Sequence, residues 1–192
     1  MYRETADNRR QALTGSDEEL LQAFVQGRRS ALGELAGRYE VSLLNLSLAI
    51  LGSRELACDA VQETWVRVLR FAHKFNGQSR FKTWFYRIAI NQCRSLLAGE
   101  KTGGAEGPEQ PASEAHDPSR QAVANDEAEK LKRAVEGLTP PLRETILLCY
   151  THGLTHEETA EVMQIPLGTV KSRVHAALEQ LRETLKADAP DA

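Results

Sequence analysis

Apolar side chains in this chain return at steps of three and four residues, a rhythm that only helices can bury on one face. Leu32, Leu35, Tyr39, Leu43, Leu46 and Ile50 trace such a face after the break at Gly27 to Ser30. Gly52 and Ser53 end that helix and open the next, roughly Arg54 to His73, where Ala57, Val61, Trp65, Val68 and Ala72 keep the same step. A stripe of Val170, Val174, Leu178, Leu181 and Leu185 follows near the carboxyl end. Start and stop signals agree with this reading. Ser16 with Glu19, and Thr155 with Glu158, have the spacing of capping boxes. Ser79 is placed to cap a helix running to about Leu97, and Thr139-Pro140 offers a cap followed by proline at the first helical position. Ile146, Leu147 and Tyr150 supply the buried side of that last helix, which Gly153 stops.

One segment breaks the rhythm for long enough to divide the chain. Residues 99–125 hold Gly103, Gly104, Pro108, Pro111 and Pro118 among Ala, Ser and Glu, a composition that builds no core. With 192 residues and 41% hydrophobic content, there is enough chain for a small helical domain on either side. The expectation is an all-α protein: a tail over 1–15, a helical domain over 16–98, a flexible linker over 99–125, a second helical domain over 126–186 and a tail over 187–192.

The net charge of -3 conceals an uneven distribution. Between Glu63 and Glu100 no acid occurs, while the same 36 residues carry Arg67, Arg70, Lys74, Arg80, Lys82, Arg87 and Arg94. They also hold seven of the 11 aromatics: Trp65, Phe71, Phe75, Phe81, Trp84, Phe85 and Tyr86. Aromatics at helical spacing are usually core, and Trp65, Phe81, Trp84, Phe85 and Ile88 fit that role in part. A core role does not explain the exclusion of acids, because solvated helices mix both signs. Phosphate neutralisation together with stacking on unpaired bases, worth about 1–3 kcal/mol per base, explains both features. Within the window, Phe75-Asn76-Gly77-Gln78-Ser79 has turn chemistry.

In the second half, a short helix from Thr155 to about Met163, a turn at Gln164-Ile165-Pro166 and a longer helix form a helix-turn-helix pattern over about 155–174. Thr169, Lys171, Ser172, Arg173 and His175 fall outside the apolar stripe at the start of the longer helix, where base and phosphate contacts are made. The plain alternative is a helical hairpin with a basic turn. Asp59, Gln62 and Glu63, on the exposed side of the third helix, read from spacing alone as a solvated face.

Other chemistry finds little support. Cys149, His152 and His156 have a metal-like spacing, but Gly153 breaks the helix between them and no fourth ligand is evident, so no metal is expected. No glycine-rich phosphate loop, paired carboxylates or nucleophile arrangement is present, which predicts no catalysis, no cofactor and no small-molecule substrate. Cys58, Cys93 and Cys149 form no Cys-x-x-Cys pair, and neither an apolar run of about 20 residues nor a signal pattern occurs. A cytoplasmic protein without membrane insertion is expected.

Three motifs together resemble the extracytoplasmic-function (ECF) subgroup of the sigma-70 family, over about Asp17 to Glu183 apart from the linker. Asp59-Ala60-Val61-Gln62-Glu63-Thr64-Trp65 is similar to that family's polymerase-binding helix. Phe81-Lys82-Thr83-Trp84-Phe85-Tyr86-Arg87-Ile88-Ala89 is similar to its -10 helix, and Leu167-Gly168-Thr169-Val170-Lys171-Ser172-Arg173 to its -35 helix. The resemblance implies that the first domain is sigma region 2 and the second is region 4. It implies that Asp59, Gln62 and Glu63 dock on the clamp of the largest subunit of bacterial core RNA polymerase. It also implies that Lys74, Phe75, Asn76, Gly77, Ser79, Lys82, Trp84, Tyr86 and Arg87 take promoter DNA at the -10 element, with a base flipped into a pocket near Asn76, Gly77 and Ser79. The helix-turn-helix would read the -35 element. An anti-sigma factor that holds the protein inactive, at the inner face of the membrane, and a role in a stress or envelope response are implied in the same way.

Two departures stand out. Ala176, Ala177, Leu178 and Glu179 follow His175 where the family commonly has arginines, which predicts a weaker or less salt-dependent -35 contact. Gln164 occupies a turn position where glycine is common, which predicts a slightly different helix-turn-helix angle. The competing readings are a conventional helix-turn-helix regulator that acts without replacing sigma, and an interaction protein that mimics sigma.

Overall fold

The computed structural model describes residues 15–102 and 122–187, and all regular structure among them is helical. The first half consists of α1 (Asp17–Val25), α2 (Arg29–Leu51), α3 (Arg54–Phe71) and α4 (Phe81–Thr102), with a 3-10 turn at Ala72–Lys74 after α3. The second holds α5 (Ala122–Glu136), α6 (Pro140–Ile146), α7 (His156–Met163) and α8 (Leu167–Ala187). Helix α4 runs past Leu97 and α5 begins ahead of Asp126. The core of the expected linker and nearly all of the expected tails lie outside the described residues.

Local signals set several boundaries as expected. The Ser16–Glu19 and Thr155–Glu158 capping boxes both form in full, and Ser53 accepts from the Leu56 amide to start α3. The start of α4 is different. Ser79 makes no cap there; the Phe81 amide donates instead to Glu18 of α1, at 2.7 Å. A carboxylate at a helix amino end satisfies an orphan donor and complements the helix dipole. Thr139 precedes Pro140 at the start of α6, but its side chain caps nothing.

Two buried stripes differ from the expected ones. In α3 the buried positions are Ala57, Ala60, Thr64 and Val68, with Val61 and Trp65 only half-buried. Small Ala60 and Thr64 face inward, and the Thr64 hydroxyl meets its own hydrogen-bonding need by donating to the Ala60 carbonyl at 2.7 Å. In α8, Ala177 is buried and Leu178 remains 39% exposed. Tyr150, expected on the buried side, is 63% exposed. A π-helical turn over Leu147–Thr151 widens the helix after α6. The extra residue rotates Leu148 and His152 inward and Tyr150 out.

Tyr39 is the hub of the first half. Its ring lies 5.5 Å from Phe81, 4.9 Å from Phe85 and 6.2 Å from Tyr86, and its hydroxyl donates to Asp17, which also pairs with Arg38. This cluster fixes α4 against α1 and α2. The halves also touch each other, chiefly through α4 against α7 and α2 against α6.

Candidate nucleic-acid interface

The turn before α4 is built to project its polar residues. Asn76 accepts from the Gln78 amide at 3.2 Å, and Gly77 takes φ +72°, which an L side chain adopts only with strain. Asn76, Gly77 and Lys74 are exposed, the last with its ammonium 5.2 Å from the Phe71 ring. Phe75 and Trp84 are half-buried and lean together at 5.4 Å. Beside them opens a cavity of about 330 Å³ lined by Phe75, Asn76 and Gly77, with α1 supplying Glu18, Leu21, Gln22 and Val25. Ser79 is not among its walls. The contribution of α1 was missed by motif reasoning, although Glu18, Leu21, Gln22 and Val25 follow the spacing of one helix face.

Farther along α4 the predicted residues separate. Lys82 is half-buried, whereas Tyr86 is 1% exposed and Arg87 is bound to Glu161 of α7 at 2.6 Å. The Tyr86 hydroxyl, Ser42 Oγ and His152 Nδ1 form a triangle with sides of 2.9, 3.0 and 3.0 Å. Burial raises the Tyr86 pKa. Burial, aided by the Lys82 charge, lowers that of His152 to about 4, so this imidazole is neutral at pH 7.

On α3, Asp59 and Gln62 are exposed, and Glu63 makes an ion pair with Arg67 at 2.9 Å on the same surface. The three form a polar strip well separated in the sequence from the α4 turn. In the second half, Gln164 adopts φ +57°, so the left-handed turn between α7 and α8 forms without a glycine. Helix α8 then displays Lys171, Ser172 and His175 fully and Thr169 and Arg173 in part, with Ser172 donating to the Thr169 carbonyl at 3.0 Å. Ala176, Leu178 and Glu179 continue the exposed surface with no added positive charge. Among the described residues, no group of three or more His, Cys, Asp or Glu is placed to hold a metal ion, and no helix is long and apolar enough to cross a membrane.

Comparison with known proteins gives this geometry a context. The family model for sigma-70 region 2 matches residues 35–102 and that for sigma-70, region 4 matches residues 128–181. The chain is similar to the RNA polymerase sigma-H factor of Pseudomonas aeruginosa, with 30% identity over 88% of this chain and 94% of the relative. It is also similar to the ECF RNA polymerase sigma-E factor of Escherichia coli K12, with 29% identity over 86% and 92%. Two solved structures share the fold. One is CnrH in complex with the cytosolic domain of CnrY (TM-score 0.69, 24% identity, 91% of this chain and 100% of that one). The other is sigma factor RpoE from Bartonella quintana in complex with the anti-sigma factor NepR (TM-score 0.68, 24% identity, 82% and 98%). With both regions matched in order and relatives aligned over nearly their whole length, the chain belongs to the ECF subgroup of the sigma-70 family of RNA polymerase sigma factors.

Proposed function

We propose that this protein is an initiation factor that binds core RNA polymerase, carries it to promoters with -35 and -10 elements, and promotes melting by holding the opened strand. Residues 16–98 act as region 2 and 126–186 as region 4. In region 2 the α3 strip of Asp59, Gln62 and Glu63 docks on the clamp of the largest subunit. The Lys74–Ser79 turn and the first turns of α4 take the non-template strand, a flipped base entering the cavity beside Asn76 and Gly77 while Phe75 and Trp84 offer apolar faces. In region 4, Thr169, Lys171, Ser172, Arg173 and His175 read the -35 duplex.

The observation that carries this reading is the open cavity at Asn76 and Gly77, set within the acid-free, aromatic-rich stretch over 64–99. A stand-alone duplex-binding regulator would leave both features without a task. No bond is made or broken. Unstacking a base costs a few kcal/mol, and stacking and phosphate contacts made only with the melted strand offset it, so binding shifts the population toward open DNA. The protein works in the cytoplasm, and an anti-sigma factor is its regulator, as NepR is a partner of the similar RpoE.

Run-off transcription with sigma-free bacterial core polymerase tests the proposal on promoter fragments from the source genome. Specific transcripts are expected with the protein and not with core alone, and Asp59→Lys/Glu63→Lys should abolish them. Duplex binding by the protein alone, with no transcript from cognate core, would reverse the conclusion in favour of a conventional regulator.

A further inference from the structure

The cavity beside Asn76 and Gly77 has an acid in its wall. Glu18 of α1 lines it, together with Leu21, Gln22, Phe75 and the turn itself. Leu21 is buried and Phe75 half-buried, and a volume of about 330 Å³ lies at the small end of the range for ligand pockets. One oxygen of Glu18, Oε1, accepts from the Phe81 amide at 2.7 Å, which ties the carboxylate to the start of α4. The other, Oε2, has no hydrogen-bond partner among the described residues. We propose that Glu18 determines which base the cavity takes: Oε2 accepts from an exocyclic amine, so adenine, cytosine and guanine enter and thymine, which has none, is refused. This rests on the reading of the cavity as the seat of a flipped promoter base.

Capping alone does not call for an acid here. A neutral Ser, Thr or Asn caps a helix as well, and Ser79 stands just ahead of α4 without being used. A carboxylate beside a bound strand also repels its phosphates, so its presence in an otherwise acid-free surround needs a return. The other polar groups of the wall are permissive. Gln22 and His73 can turn either a donor or an acceptor to a base. Asn76 Oδ1 is held by the Gln78 amide at 3.2 Å, which leaves its NH2 to donate to a ring nitrogen or carbonyl, and every base offers one. An ionised carboxylate only accepts. Opposite thymine, Oε2 would face the two carbonyls that flank N3, and a site built to accept a proton pays for the missing donor.

The test uses holoenzyme, formed from the protein and bacterial core polymerase, and a forked DNA whose non-template -10 strand is single. The strand is taken from a promoter that run-off transcription yields, and each -10 position is tried with all four bases in competition binding. At one position the wild type should bind thymine about tenfold more weakly than the best amine-bearing base. Deleting that amine there, with purine for adenine, pyrimidin-2-one for cytosine or hypoxanthine for guanine, should cost about the same. Glu18→Gln keeps a carbonyl for the Phe81 amide and turns an NH2 toward the base, so at that position alone thymine should gain and amine-bearing bases should lose. Circular dichroism establishes that the variant keeps its helicity; if it does not, the amine deletions in the wild type decide. No position that refuses thymine, an amine deletion without effect there, or a folded Glu18→Gln with unaltered preferences or an equal loss at every position would overturn the role of Glu18 and leave it a helix cap. A holoenzyme that does not form, or that binds the forked strand with no base, would overturn instead the initiation-factor reading beneath it.

Discussion

Helices α4 and α8 carry the two sets of predicted DNA contacts, yet they carry them in opposite ways. In α8 the buried stripe of Val170, Val174, Ala177 and Leu181 is separate from the exposed turn bearing Lys171, Ser172 and His175. In α4 the predicted contacts are interleaved with Phe81, Phe85, Ala89 and Ile90, all fully buried, and part of its basic edge is held by acids of the other half. A duplex-reading surface needs only a side chain aimed outward from a settled helix. A strand-capturing surface needs apolar rings at its rim, which links it to the core.

That contrast predicts unequal costs of substitution. Phe81→Ala removes a fully buried ring that touches Tyr39, Phe75, Trp84 and Phe85. A loss of about 3–5 kcal/mol is expected by chemical denaturation, with strand capture failing as a consequence of misfolding. A loss under about 1 kcal/mol would mean that the proposed DNA face of α4 is less bound to its core than the geometry indicates.

The contact of α4 and α2 with the second half can be probed by acid. His152 is neutral where the halves meet, with its pKa pushed down to about 4 from the ordinary 6.5, mainly by burial and then by Lys82. Around it stand Lys82 and Tyr86 of α4, Ser42, Tyr39 and Arg38 of α2, and Asp17 of α1. Protonation favours parting of the halves, so their contact is fully stable above pH 6.5 and loses stability as the pH falls from there toward 4. The His152 contribution to that loss reaches about 3 kcal/mol. The radius of gyration should rise across this window in the wild type and rise less in His152→Gln. Identical curves would mean that His152 stays buried when the halves part.

For α8 the expected effect is smaller and cleaner. Arg173→Ala should weaken binding to a -35 duplex by about 1–3 kcal/mol if the guanidinium reads a base edge, with unfolding stability changed by less than about 0.5 kcal/mol. Equal losses of binding and stability would make α8 as interleaved as α4 and remove the contrast.

Much of the architecture was legible because its causes are local. Ser16, Ser53 and Thr155 cap the helices that follow them, and the Asn76–Gly77 turn forms as its residue types dictate. What escaped reading depends on partners distant in sequence. Glu18 caps α4 from 63 residues away, so Ser79 was the natural but mistaken candidate. The π turn at Leu147–Thr151 re-aims Tyr150 through one extra residue that periodicity does not register. The burial of Tyr86 and the pairing of Arg87 follow from α7, which no motif within α4 can foresee.

Gln164 offers the finest test of how independent the second half is. Every other positive-φ position among the described residues is a glycine, whereas Gln164 takes φ +57° with its side chain exposed. The left-handed region costs an ordinary L residue about 1–2 kcal/mol, and glycine removes that cost while adding freedom to the unfolded chain worth about 0.4–1 kcal/mol. Gln164→Gly should therefore stabilise the protein by about 0.5–1 kcal/mol, read as a shift in denaturation midpoint at constant slope. Because the backbone already holds the conformation a glycine would take, -35 duplex affinity should not change. Unchanged stability would show that the Gln164 side chain contributes what its backbone strain costs. An altered affinity would show that the turn sets the angle of α8, and that this sequence departs from its family in how region 4 meets DNA.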